Sequence, residues 1–107
     1  MSVRTDVTLA IERQLAVLGM LGPDVIASQL AADGIRGRCG SAAWCPVAVL
    51  LERAASAVGY GVADVWVDPQ VASVAIDLCH MSFTLPGSVV AFIDSFDTGG
   101  YPELVQA

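Results

Sequence analysis

The sequence predicts an α+β fold in which three helices precede a small antiparallel hairpin or three-stranded sheet, and a last helix packs on that sheet. Three observations carry this expectation. Apolar residues recur at helical spacing through the first half of the chain. A proline or a glycine brackets most of these runs. The spacing then changes to a period of two over DVWVDPQVASVAID, which reads as two strands. A length of 107 residues corresponds to one domain, residues 1–107, with enough chain to bury a core without obligatory disulfides or metal.

The first helix is expected from about Asp6 to Leu18, because Val7, Ile11, Leu15 and Leu18 share one face. Thr5 is placed to cap it and Gly19 to stop it. The second begins at Pro23, a favoured first helical position, and ends before Gly34. This rhythm of helix, glycine and helix implies two short antiparallel helices. The third begins at Pro46, carries the stripe Val47, Leu50, Leu51, Ala54 and Val58, and stops at Gly59. In the hairpin that follows, Asp68-Pro69 puts proline where a turn wants its fixed φ. Val65 and Val67 share one face, and Val74, Ile76 and Leu78 share another, with Ser73 and Asp77 outward. CHMSFTL adds a short third strand. The fourth helix starts near Pro86, buries Val89, Phe92, Ile93 and Phe96, and ends at Thr98-Gly99-Gly100; Leu104 docks back from the tail.

Composition bounds the function. Hydrophobic residues make up 55% of the chain and charged residues 15%, which excludes a disordered chain. So much apolar side chain in one small domain implies burial against a partner, most simply a second copy in a homodimer. The net charge of −6, with five arginines and no lysine, excludes nucleic acid as the main partner. No apolar run is long enough to span a membrane, and the start lacks a signal layout. Three cysteines, an odd number, fit a reducing compartment, so a cytoplasmic location is expected.

The stretch GIRGRCGSAAWCP, Gly34 to Pro46, concentrates the candidate chemistry. Arg36 and Arg38 could hold a carboxylate or phosphate beside the start of the third helix. Its glycine spacing matches neither a dinucleotide fingerprint nor a P-loop, and the alternative is a connecting loop whose arginines pair with Asp33 or Glu52. Cys45 falls at the helix N-cap, where the dipole should lower its pKa, and His80, the chain's one histidine, could serve as its base. The alternative is a buried structural thiol. Cys39, Cys45, Cys79 and His80 have the wrong spacing for zinc, so neither a metal site nor a cofactor is expected. The paired carboxylates Asp64/Asp68 and Asp94/Asp97 read as turn and solvent-facing groups. Trp66 alternates away from Val65 and Val67. It is an exposed anchor if those valines face the core, and a core residue if the faces are reversed. Trp44 is expected to pack as a lid over the helices.

GIRGR, the helix start CPVAVLL and the tail LPGSVVAFIDSFDTGGYPELV together resemble a group of small uncharacterised proteins of actinobacteria and their phages. In that group Cys-Pro opens a helix and FD-x-G-x-YP-x-L closes the chain. The resemblance covers Gly34 to Val105 and singles out Cys45, Pro46 and Tyr101, but it implies no activity, cofactor or partner. The expected function is therefore a non-enzymatic, protein-binding adaptor or regulator, with Arg36, Arg38 and Trp66 as binding residues; a phage or mobile-element protein acting on a host protein fits equally. The alternative is a small cysteine-dependent enzyme or thiol sensor built on Cys45 and His80.

Overall fold

A computed structural model describes residues 3–58, 64–68, 70–76 and 79–105. Among these lie four α-helices and three strands, in the order α1 Val3–Gly19, α2 Pro23–Ala32, α3 Pro46–Ala57, β1 Asp64–Val67, β2 Val71–Ile76, β3 Cys79–Thr84 and α4 Gly87–Asp97. A 3-10 turn, Pro102–Leu104, follows. The fold is α+β, with one antiparallel sheet in the order β1-β2-β3. Gly59, Pro69, Asp77 and Leu78 lie outside the described residues, and with them the predicted stop of α3 and the centre of the first hairpin turn.

Proline and glycine set the boundaries as their chemistry requires. Pro23 and Pro46 open α2 and α3 where a missing N–H costs nothing. Gly34 and Gly99 follow α2 and α4 with φ of 72° and 88°, a region where other residues are strained. α1 differs from expectation. It begins at Val3, so Thr5 lies within the helix rather than at its N-cap.

Sheet register corrects the reading of the faces. Val65 lies opposite Val74 and Val67 opposite Ala72, so these side chains share a single buried face with Ile76 and Met81. The other face carries Asp64, Trp66, Ser73, Ser82 and His80. β1 and β3 are the two outer strands.

Helix packing also departs from the sequence expectation. α1 is the central helix and packs against α3, α4 and β3, while α3 covers β1. α2 and α4 pack on each other, and α4 also packs on α1. α4 therefore rests chiefly on helices and not on the sheet, and α2 pairs with α4 rather than chiefly with α1. The reason is side-chain area. α4 buries Val89, Phe92, Ile93 and Phe96, a face too broad for a sheet already covered by two helices. Each large side chain sealed this way contributes about 2 kcal/mol. Ser88 Oγ donates to the Leu18 carbonyl (3.0 Å) and locks the start of α4 to the end of α1. Tyr101 stacks on Phe92 at 5.2 Å between ring centroids and donates its hydroxyl to Asp24 Oδ1 at 2.8 Å, tying the tail to α2. Leu104 is fully buried, as the sequence predicts.

Candidate functional site

The segment between α2 and α3 is tied down along its length. The Gly37 N–H donates to the Leu104 carbonyl (2.8 Å) and the Arg38 N–H to the Trp44 carbonyl (2.7 Å). The Cys39 thiol meets the Phe96 carbonyl at 3.2 Å, and the Gly40 N–H meets Asp97 Oδ1 at 2.9 Å. At its far end the Ala42 carbonyl accepts from the Val67 N–H at 2.9 Å, which covers the outer side of β1. One loop thus clips together the end of α4, the tail and the sheet edge. Gly37 is required by close approach: a Cβ there would sit 2.4 Å from the Trp44 carbonyl oxygen and 2.6 Å from the Pro46 nitrogen. Gly40 has φ of 72°, which suits glycine for a different reason.

Arg36 and Arg38 are both exposed. Neither pairs with Asp33 or Glu52 among the described residues. Arg36 donates to the Glu103 carbonyl, and the Arg38 guanidinium carbon stands 5.4 Å from the centre of the Trp44 ring, within cation–π range. Arg53 is the arginine that reaches Asp33, at its carbonyl.

Cys45 occupies the N-cap of α3, as its position before Pro46 predicts. Its predicted low pKa is overturned. The residue is 2% exposed, and burial pushes the thiol up to about 11, outweighing the backbone N–H groups of Val47 and Ala48 that favour the thiolate. Asp97 and Cys39 push it the same way. His80 lies elsewhere, exposed on β3 beside Thr8 and Glu12, with β2 between its strand and β1. The structure does not bring Cys45 and His80 together. Among the described residues no three His, Cys, Asp or Glu side chains converge, and no helix is long and apolar enough to cross a membrane.

What the structure does assemble is a pair of tryptophans. With Val65 and Val67 buried, Trp66 stands on the opposite side of β1, 39% exposed. Trp44 is no lid: it is 52% exposed, and together with Trp66 it lines a cleft of about 240 Å³. Ala43, Val65, Glu52 of α3 and Asp64 of β1 complete the lining. Neither the Glu52 nor the Asp64 carboxylate has a hydrogen-bond or ion-pair partner among the described residues. A wider groove of about 420 Å³ runs between α1 and β3, but it is a shallow depression with Glu12 as its one charged side chain. A depression of about 270 Å³ holds Glu12 and His80, whereas among the described residues the smaller cleft alone joins two indoles to two carboxylates. Its components come from a loop, a helix and a strand, which is why sequence spacing could not join them; the readable signals were the alternation at Trp66 and the position of Glu52 on the wet side of α3. Comparison with protein-family models, with curated proteins and with solved structures found no match to this chain.

Proposed function

We propose that this is a non-enzymatic protein-binding domain, an adaptor or regulator, whose anchor site is the Trp44–Trp66 cleft. One observation carries the reading: both tryptophans of the chain are exposed and line the same depression. Tryptophan is the residue most enriched in the energetic centres of interfaces, and leaving two of them in water has no benefit to the isolated fold. Arg36 and Arg38 support the site, the first by tying the loop to the tail and the second by holding the Trp44 ring. Burial of Cys45 and its raised pKa speak against the alternative of a cysteine-dependent enzyme.

The test is a random peptide library displayed against the wild-type protein and against the double variant Trp44→Ala/Trp66→Ala. Enriched peptides are expected to bind the wild type and lose the variant. The variant itself should keep its stability to within about 1 kcal/mol, since neither indole is buried. Equal binding of every enriched peptide to both proteins, or unfolding of the variant, would defeat the reading.

A specific feature favours a second copy of the chain as an additional partner. Leu9 and Val17 are exposed on one side of α1, and Met20, just past the end of the helix, is exposed as well. Sedimentation equilibrium at micromolar concentrations is expected to give a dimer, and Leu9→Ser/Val17→Ser a monomer. A wild-type protein that stays monomeric throughout removes this part of the proposal.

A further inference from the structure

We infer that the Trp44–Trp66 cleft accepts a single cationic side chain, an arginine or lysine projecting from a partner polypeptide. This rests on the cleft being the protein-binding site and adds the chemistry of what enters it.

Size comes first. At about 240 Å³ the cleft falls below the roughly 300–1,000 Å³ of pockets that enclose a drug-sized ligand, so it suits one side chain and not a folded small molecule. Charge decides which side chain. The Glu52 and Asp64 carboxylates stand at the cleft with no partner among the described residues. An anionic group would be repelled by both, and an apolar one would strip water from two carboxylates without giving them a bond in return. A guanidinium or ammonium satisfies them. It is also attracted to the electron-rich face of an indole, and tryptophan is the strongest such partner among the aromatic residues. The fold itself supplies a precedent, since the Arg38 guanidinium carbon already stands 5.4 Å from the centre of the Trp44 ring, and Arg38 is not among the residues that line the cleft. The net charge of −6 adds long-range attraction for a basic segment. Recognition by an added β-strand is disfavoured on this side, because the Val67 N–H of β1 is already taken by the Ala42 carbonyl.

The experiment uses pentapeptides of the form acetyl-Gly-Ser-X-Ser-Gly-amide, with X arginine, lysine, citrulline, norleucine or glutamate, titrated into the full chain. Indole N–H shifts of Trp44 and Trp66 are followed by NMR. The arginine and lysine peptides should shift both signals saturably, and citrulline, which keeps the shape of arginine and loses its charge, should bind about tenfold more weakly. Raising salt should weaken the cationic peptides and leave norleucine unchanged. In Glu52→Gln/Asp64→Asn, with its fold checked by circular dichroism, the preference for arginine over citrulline should disappear. Citrulline or norleucine binding as well as arginine, preference surviving in the carboxylate variant, or no peptide moving either indole would each overturn the inference. Library peptides that need the tryptophans yet show no basic residue would sink this inference while leaving the protein-binding reading standing.

Discussion

Gly37→Ala should destabilise the protein by about 3 kcal/mol, far more than a glycine-to-alanine change in an ordinary loop. The added methyl would meet backbone, the Trp44 carbonyl oxygen at 2.4 Å and the Pro46 nitrogen at 2.6 Å, and backbone cannot rotate aside as a side-chain tip can. Relief requires the loop to move as a body. That movement breaks the Gly37–Leu104 and Arg38–Trp44 hydrogen bonds together and dislodges Trp44 from the cleft. Urea unfolding reads the stability loss, and the Trp44 indole signal reads the displacement. Gly22→Ala is the control: a Cβ there meets nothing within 4 Å and its φ of −72° carries no strain, so the change costs only the roughly 1 kcal/mol of a weaker N-cap on α2. A Gly37→Ala protein as stable as the Gly22→Ala control would mean that the loop is not held as the structure has it.

Alkaline solution should destabilise the fold through Cys45. Below pH 9 the thiol is protonated in both folded and unfolded chains, and the stability is fully present. Between the ordinary value of 9.0 and the folded value of about 11, the unfolded chain releases this proton while the folded one keeps it, so stability falls as pH rises. Two units correspond to about 2 to 3 kcal/mol, lost by the time the pH passes 11. Comparing urea unfolding of wild type and Cys45→Ala at pH 8, 9, 10 and 11 isolates the contribution from other titrating groups. Wild type should lose more stability than the variant over this range. Parallel curves would clear Cys45 of any part in the alkaline loss. At pH 8 a thiol reagent should modify the exposed Cys39 first and reach Cys45 only on unfolding.

Much of this architecture could be read from residues whose effects are local. Pro23 and Pro46 start helices, Gly34 and Gly99 end them, and the alternation of Val65, Trp66 and Val67 puts the tryptophan on the opposite side of β1 from the valines, although which side is wet was decided only by the packing of the fold. The failures are all long-range. Nothing near Gly37 announces that Leu104 will accept its hydrogen bond, so the loop reads as a free connection when it is a clip. Cys45 sits at the predicted N-cap, but its pKa follows from burial, which neighbouring residues do not determine. Trp44 is a large apolar residue beside a helix start, which suggests a lid, yet it is exposed at the cleft it shares with Trp66, Glu52 and Asp64, residues of other elements. Helix pairing was misjudged for the same reason: adjacency in sequence suggested α1 with α2, whereas the broad apolar face of α4 draws both toward itself.

The clip between the loop and the tail has a consequence for how the chain is made. Synthesis proceeds from the N-terminus, and Gly37, Cys39 and Gly40 emerge long before Leu104, Phe96 and Asp97, their hydrogen-bond partners. α1 must likewise wait for α4, which closes its apolar face. A nascent chain ending after β3 therefore holds α1, α3 and the sheet without α4 packed on α1, and with the loop tied at its Ala42 end to β1 but not to α4 or the tail. Contacts this distant in sequence carry a large loop-closure cost and close after the local ones, so the interior beneath α4 is sealed late. Until then the apolar side of α1 that α4 covers stays open to other chains, and the residues that close it are among the last translated of those described.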